Sequence, residues 1–189
     1  DNEMSNNKKL QCNSKNVSCE DLNINNVAKG NDIMDNRQPL SIIYNVTSTC
    51  IHNCQICCMG ATKTKPDYEK ELTPEERQKF IENDIPIVNK QFKVRIDFSG
   101  GEIFWHNKDE NITMFQTATR AIGRDNVGVS SSGFGVDDNV AKQLSECVAD
   151  IEMTMDSLPG VPYRLRPLSY AMSASRALPY LKKHGNVVG

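Results

Sequence analysis

The sequence predicts an α/β fold built around a parallel sheet. Short apolar runs with strand character alternate with longer segments of helical periodicity, and this alternation repeats four times along the chain. Each connection between predicted strands is long enough to hold a crossover helix, which parallel neighbours require. With 189 residues, the chain is long enough for one domain of ordinary size and too short for two.

An Asn-rich segment precedes the first predicted strand. Residues 1–37 contain ten Asn and no periodic apolar pattern, so we expect residues 1–38 to form a disordered extension and 39–189 to form the core domain. The first strand is the apolar run from Leu40 to Val46, which ends in a Thr-Ser-Thr triplet.

The first helix has a strong start signal. Thr73 is the expected N-cap, Pro74 occupies the first helical position and Glu76 completes a capping box. Pro86 is expected to limit the length of this helix, because proline removes a backbone donor and clashes with the preceding turn. The alternating segment 92–98 predicts the second strand.

Three more strands and three more helices follow. The strands are expected at 127–130, 151–155 and 186–188. The helices are expected over Ile112, Phe115 and Ile122 up to Gly123, after a cap at Asp137 or Asp138, and after a cap at Ser169. Pro179 lies inside the last of these helices and is expected to kink or divide it.

The net charge and the hydropathy of the sequence argue against several classes of protein. The 22 Lys and Arg against 24 Asp and Glu give a net charge of −2, which does not favour a nucleic acid or an anionic membrane as the main partner. No apolar run is long enough for a transmembrane helix, and no secretory signal pattern is visible. The chain begins at Asp1 and stops at Gly189 within the strand–helix pattern, so we expect a fragment.

The seven cysteines point to a metal rather than to disulfides. They are Cys12, Cys19, Cys50, Cys54, Cys57, Cys58 and Cys147. The number is odd, four of them fall within nine residues and two are adjacent, which makes a poor disulfide framework. This usage suits a reducing compartment, and we expect the cytoplasm. Cys12 and Cys19 have no neighbouring pair of ligands and receive no role.

The spacing of three cysteines is typical of an iron–sulfur site. Cys50, Cys54 and Cys57 follow the first strand with the spacing Cys-x3-Cys-x2-Cys. Three thiolates on a short loop can hold three irons of a cubic 4Fe–4S cluster, and the fourth iron then stays open for a substrate or cofactor. The element Ser-Gly-Gly-Glu, residues 99–102, follows the second strand.

These two motifs, separated by one strand–helix unit, resemble the radical S-adenosylmethionine (SAM) superfamily. The resemblance covers about residues 39–189 and implies a partial (β/α)6 barrel, of which about four strand–helix units are present. It also implies that Cys50, Cys54 and Cys57 hold a 4Fe–4S cluster, and that SAM binds the open iron.

The resemblance assigns SAM to the Gly-Gly-Glu element. Gly100 and Gly101 have no side chains, so their backbone can approach the methionine moiety closely. Glu102 supplies a carboxylate for the α-ammonium group of SAM through a charge-assisted hydrogen bond. All of these residues follow strand ends, where α/β sheets place their sites.

Further positions extend the resemblance. Segment 129–133 is similar to the family's third-strand Thr-Asn-Gly, and segment 153–157 is similar to the fourth-strand Ser-x-Asp-Gly of members that modify peptides or proteins. By position, the resemblance implies that Ser131, Thr154 and Asp156 would contact the ribose or carboxylate of SAM, or the substrate. Ile56 occupies the place of an aromatic residue that packs near the adenine in many members.

For the other charged and histidine side chains near these motifs, we favour a structural or solvent-exposed position over a role in the site. His52 is expected to point to solvent or to the loop backbone, and His106 is expected to be structural. Arg164 and Arg166 are interpreted as solvated loop charges, with pairing to a carboxylate of SAM or substrate as the alternative. Cys58 is an extra thiol beside Cys57 that competes with it as a ligand.

The resemblance implies an enzyme. A reduced cluster would pass one electron to SAM, and the resulting 5′-deoxyadenosyl radical would abstract hydrogen from a substrate, here a peptide or protein by analogy. An external donor such as reduced flavodoxin or ferredoxin would supply the electron.

Two alternatives stay open at this stage. One is a structural zinc module, in which Cys50, Cys54 and Cys57 bind the metal together with Cys58 or His52. The other is a truncated relative that binds a partner without catalysis. The zinc module leaves the Gly-Gly-Glu element unexplained.

Overall fold

The computed structural model describes residues 35–62, 64–154 and 166–189. In this part of the chain, five parallel strands form one sheet in the order β1-β2-β3-β4-β5. The strands are β1 Gln38–Thr47, β2 Phe92–Gly100, β3 Val127–Ser130, β4 Asp150–Glu152 and β5 Val187–Val188. The helices between them are α1 Pro74–Gln91, α2 Lys108–Ile122, α3 Asp138–Cys147 and α4 Leu168–Lys183. The predicted α/β fold with four strand–helix units is therefore confirmed.

The core lies between the sheet and the helices. Val94, Ile96 and Phe98 of β2 are buried on the face that the helices cover. The Phe98 ring lies 4.8 Å from the ring of Phe115 on α2 and 5.7 Å from the ring of Tyr44 on β1. Alternation of buried and half-buried residues along β2 follows from the two-residue period of a strand, and it separates the core from the other face of the sheet.

The other face of the sheet is polar. The Arg95 guanidinium on β2 lies 2.7 Å from an Asp97 oxygen and 2.9 Å from an Asp150 oxygen on β4. Gly128 of β3 lies between these strands, and an ideal Cβ there would lie 2.1 Å from the Asp97 carboxylate. A residue without a side chain at position 128 therefore makes room for this ion-pair network across three strands.

The capping box of α1 forms as predicted, but the predicted effect of Pro86 is wrong. Thr73 Oγ1 accepts from the Glu76 backbone N–H, and Glu76 accepts from the Thr73 backbone N–H. The helix continues through Pro86 to Gln91. Proline removes a single backbone hydrogen bond, and α1 buries Ile81 and Ile85 against the core just before it.

The start of α4 differs from the prediction, and of the two predicted effects of its proline, division of the helix does not occur. Its N-cap is Pro167 rather than Ser169, and Pro179 lies inside the helix without dividing it. Ala177 and Leu181 are fully buried on either side of Pro179, so packing holds both halves in place. In α3 the cap is Asp137, whose carboxylate accepts from the Val140 N–H at 2.9 Å.

Only β3 has the bounds that the sequence predicted; β1, β2 and β5 differ from prediction by one or two residues at an end, and β4 differs most. That strand ends at Glu152, whereas the sequence predicted 151–155, and residue 155 lies outside the described residues. The short strand β5 pairs with β4, with Asp150 opposite Val187 and Ile151 opposite Val188. Within the described ranges, no helix has the length and apolar character that a membrane span requires.

Candidate active site

The site is a cavity of about 250 Å³ at the carboxyl ends of the strands. It is lined by all nine of the predicted site residues that the structure describes. They are Cys50, Cys54, Ile56, Cys57, Gly100, Gly101, Glu102, Ser131 and Thr154. The tenth, Asp156, lies outside the described residues. The topology thus brings the described part of the set together, because parallel strands end at one edge of a sheet.

The cysteine loop is attached to the Gly-Gly-Glu element through the backbone. The Gly101 N–H donates to the carbonyl oxygen of Thr47 at 2.7 Å, and the Glu102 N–H donates to that of Thr49, also at 2.7 Å. Cys50 comes directly after Thr49. These two bonds continue the pairing of β1 with β2 past the strand ends, so the start of the loop has a fixed position relative to Glu102.

This close approach explains both glycines. An ideal Cβ on Gly101 would lie 1.9 Å from the carbonyl oxygen of Thr49, and one on Gly100 would lie 2.4 Å from Asn45 Oδ1. Gly100 also has a φ of 131°, which side-chain-bearing residues rarely adopt. The chain's own packing therefore requires glycine at both positions, a reason that the sequence alone did not provide.

Glu102 is a buried carboxylate held by four hydrogen bonds. It is 1% exposed. One oxygen accepts from Ser131 Oγ at 2.8 Å and from the Phe104 N–H at 3.3 Å, and the other accepts from the N–H of Ser132 at 3.0 Å and from its hydroxyl. Burial raises the pKa of Glu102, and these hydrogen bonds lower it in part.

No cation among the described residues forms an ion pair with Glu102. A buried carboxylate without a positive partner is costly, since its hydration is lost and nothing of opposite charge replaces it. Because Glu102 also lines the cavity, its surroundings fit a ligand that brings a positive group, such as an ammonium. The ammonium of SAM has this chemistry.

The three motif cysteines have the chemistry of an iron–sulfur donor set. Cys50, Cys54 and Cys57 are free thiols, each half-buried and facing the cavity. In the described part of the chain no group of three or more His, Cys, Asp or Glu side chains is gathered into metal-binding geometry. The loop therefore supplies three thiol donors to the same cavity. Cys58 lines the same cavity and is exposed.

His52 lies inside the protein, so the expectation that it points to solvent or to the loop backbone is wrong. It is 4% exposed. Its Nε2 lies 2.7 Å from Ser132 Oγ and its Nδ1 lies 3.1 Å from Ser169 Oγ. Burial lowers the pKa of His52 to about 4, so the imidazole is neutral at physiological pH. Both ring nitrogens are engaged with hydroxyl groups, and neither lies free for a metal.

Arg166 contacts the site, which contradicts its interpretation as a solvated loop charge. Its guanidinium lies 4.8 Å from the centre of the Tyr170 ring and lines the cavity together with Cys54. Burial raises the pKa of Cys54, and the positive charge of Arg166 lowers it in part. Tyr170 and Thr154 line the same cavity. Arg164 lies outside the described residues.

Sequence reasoning missed several residues of the site, and three of them matter for its hydrogen bonds and packing. Ser132 and Tyr170 line the cavity, and Ser169 reaches it through His52. Ser132 directly follows Ser131 in the predicted third-strand segment, so the sequence could have identified it. The other two begin α4, far along the chain, and no local pattern marks them. His106 has the expected structural contact, since its Nε2 lies 2.9 Å from the carbonyl oxygen of Thr64.

Comparison with known proteins gives a family match and a set of similar folds. The family described as a 4Fe-4S single cluster domain matches residues 41–177. A search of curated proteins gave no match. The solved structure described as native anSMEcpe with bound AdoMet is 16% identical, with a TM-score of 0.59 over 80% of this chain and 42% of that chain.

Two further structures have the same fold. A polyhistidine-tagged form of anSMEcpe with bound AdoMet is 17% identical, with a TM-score of 0.60 over 80% of this chain and 41% of that chain. Native anSMEcpe with bound AdoMet and Kp18Cys peptide is 18% identical, with a TM-score of 0.60 over 80% and 42%. The chain thus spans about two fifths of the length of these structures. The sequence match and the shared fold agree: this chain belongs to the 4Fe-4S single cluster domain family and has the partial barrel of the radical SAM enzymes.

Proposed function

We propose that the cavity binds a 4Fe–4S cluster together with SAM, and that the protein takes part in radical SAM catalysis on a peptide or protein. One observation carries the proposal. Glu102, a buried carboxylate without a positive partner among the described residues, lines the same cavity as three thiols with cluster spacing. The cysteines account for the metal, and the carboxylate accounts for a cationic cofactor beside it.

Each residue has a proposed role. Cys50, Cys54 and Cys57 hold the cluster, with Cys58 as a neighbour outside the ligand set. Glu102 receives the ammonium of SAM. The other contacts to SAM or to the substrate are made by Gly100, Gly101, Ser131, Thr154 and Asp156, with Ile56 beside the adenine.

Binding of the ammonium requires a local exchange of partners. Each Glu102 oxygen already accepts two hydrogen bonds, so its acceptor sites are filled. The hydroxyl group of Ser131 can turn away at little cost, whereas the two backbone donors cannot. An arriving ammonium would therefore take the place of a serine proton, and it would gain a charge-assisted bond in a buried setting.

When bound, a reduced cluster would pass one electron to SAM, whose C–S bond would break to give methionine and a 5′-deoxyadenosyl radical that would abstract hydrogen from an unactivated C–H bond. The chain's own contribution is to fix the two groups on adjacent strand ends and to exclude water from the space between them. Reduced flavodoxin or ferredoxin is the proposed electron donor.

Two observations support a peptide or protein substrate. Segment 153–157 is similar to the fourth-strand segment of members that modify peptides or proteins. One solved structure with the same fold is described with a bound Kp18Cys peptide, which suits a peptide substrate here as well.

The test is reductive cleavage of SAM by the reconstituted chain. The chain is loaded anaerobically with iron and sulfide, reduced with dithionite and analysed for 5′-deoxyadenosine and methionine. The proposal expects equal amounts of both products from the wild type and none from Cys54→Ala. Cys58→Ala is the matched control and should retain cleavage. Tight binding of one zinc ion in place of iron would overturn the proposal and support a structural zinc module.

A further inference from the structure

His52 belongs to none of the motifs, but its side chain connects the cysteine loop to distant parts of the fold. It lies between two motif cysteines, Cys50 and Cys54, yet its side chain is buried against other parts of the fold. Ser132, its closer partner, follows β3 and is 80 residues away along the chain. Ser169, the other partner, lies in the first turn of α4 and is 117 residues away.

The hydrogen-bond pattern assigns a direction to the contact with Ser132. The single hydroxyl proton of Ser132 is donated to the Glu102 carboxylate, so Ser132 Oγ accepts from Nε2–H of His52. The Nδ1 atom shares a hydrogen bond of 3.1 Å with the Ser169 hydroxyl. Both ring nitrogens therefore bind parts of the fold outside the cysteine loop.

Aromatic contacts fix the plane of the ring. The centre of the His52 ring lies 5.1 Å from that of Tyr170 and 6.2 Å from that of Phe134, with the Phe134 ring nearly perpendicular to it. The His52 backbone N–H also contacts the Cys50 sulfur at 3.5 Å. The cysteine loop is otherwise largely exposed between Ile51 and Gly60, so this ring is its main buried attachment.

We propose that His52 is a positioning residue that fixes the cysteine loop relative to Glu102, through the chain His52–Ser132–Glu102. The role rests on the proposed function, because the loop is the proposed cluster site and Glu102 the proposed ammonium site. In this role His52 acts through Ser132, and its contacts with Ser132 and Ser169 are made by the protein alone. Its effect is that the distance between the two sites is set before either group binds.

The test measures how firmly the loop is held in the full chain without metal. Under anaerobic reducing conditions, the chain is treated with a limiting amount of iodoacetamide, and modification of each cysteine is followed by mass spectrometry. His52→Ala should raise the rate at Cys50 and Cys54 about fivefold or more, because it removes both hydrogen bonds of the ring and the loss of one buried hydrogen bond corresponds to about a fivefold change. The rates at Cys58, which is already exposed, and at Cys147, which lies in the core, should not change.

Two variants separate a positioning role from general damage. His52→Gln retains an N–H donor for Ser132 and should restore most of the protection. His106→Ala removes the other described imidazole near the site and should leave all rates unchanged. Equal rates in wild type and His52→Ala would overturn the proposal. A parallel rise at Cys147 would also overturn it, because the substitution would then loosen the whole core.

A second readout separates this inference from the proposed function. In the reconstituted protein, His52→Ala should retain iron but require more SAM to change the EPR signal of the reduced cluster. A wild type that binds cluster and SAM, with no effect of His52→Ala on either readout, contradicts the role of His52 alone. A wild type that binds no cluster, yet shows His52-dependent protection of Cys50 and Cys54, contradicts the proposed function alone.

Discussion

The Ser131 hydroxyl donates a hydrogen bond of 2.8 Å to the Glu102 carboxylate and so joins the ends of two neighbouring strands. Glu102 follows β2 and Ser131 follows β3, and the next residue, Ser132, adds two more donors to the same carboxylate. The orientation of this buried acid is therefore set by the adjacent strand as well as by its own turn. Changes at either strand end should affect the carboxylate.

The titration of Glu102 predicts a specific pH dependence of stability. Because burial raises its pKa, the folded chain binds this proton more readily than the unfolded chain does. The free energy of unfolding should therefore fall as the pH rises from the ordinary Glu value of 4.5 through the raised pKa. Glu102→Gln cannot titrate, so its stability should depend less on pH. Urea unfolding of both proteins at pH 5 and pH 7.5 (roughly, to bracket the shift) measures the difference, and identical pH slopes would contradict this account of Glu102.

The close approach at Gly101 predicts a large cost for any side chain there. In Gly101→Ala the new Cβ meets the carbonyl oxygen of Thr49, a backbone atom that cannot move without breaking the pairing of loop and strand. We expect a loss of about 3 kcal/mol or more in the free energy of unfolding. Gly189→Ala is the control, since nothing lies within 4 Å of its Cβ position. Similar stability of the two variants in urea would refute the close contact.

The capping box predicts a modest loss of stability when the Thr73 hydroxyl is removed. Thr73→Ala removes the hydroxyl that accepts from the Glu76 N–H, and we expect it to lower the free energy of unfolding by about 1 kcal/mol. Thr73→Ser retains the hydroxyl and should preserve most of the stability. The urea midpoints of the three proteins give the comparison, and a Ser variant as unstable as the Ala variant would mean that the cap is not the cause.

Arg166 is predicted to tune the cluster. Its guanidinium lines the cavity and its positive charge lowers the pKa of Cys54, and a positive charge beside cluster sulfurs favours the reduced, more negative state. Arg166→Gln should therefore shift the midpoint potential of the reconstituted cluster to a more negative value. Arg176→Gln removes an equal charge from an exposed position on α4 and should leave the potential in place. Redox titration followed by EPR checks both, and an unchanged potential in Arg166→Gln would exclude this effect of the Arg166 charge.

Local signals in the sequence predicted most of the fold. The capping box at Thr73 involves only neighbouring residues, and β3 was predicted at its observed bounds because its flanking turns are local as well. The effect of Pro86 was not predictable in this way. Its cost competes with tertiary burial of Ile85 and Ile81, and that burial is visible only once the helix packs on the sheet.

The site was predictable to the extent that its residues follow strand ends. The spacing of the motifs identified Cys50, Cys54, Cys57 and the Gly-Gly-Glu element as site residues. In the structure they line one cavity. The setting of His52 was missed, because its partners lie 80 and 117 residues away and only the folded chain brings them to it. A histidine within a loop gives no sign of such contacts in its immediate sequence.

The most direct measurement of the central claim is EPR of the dithionite-reduced, iron-loaded chain with and without SAM, combined with iron counting. The account predicts about four irons per chain, as one cubic cluster requires. It also predicts a reduced-cluster signal that changes when SAM is added, and loss of that signal in Cys54→Ala. A cluster signal that SAM leaves unchanged, or a chain that holds zinc and no iron, would contradict it.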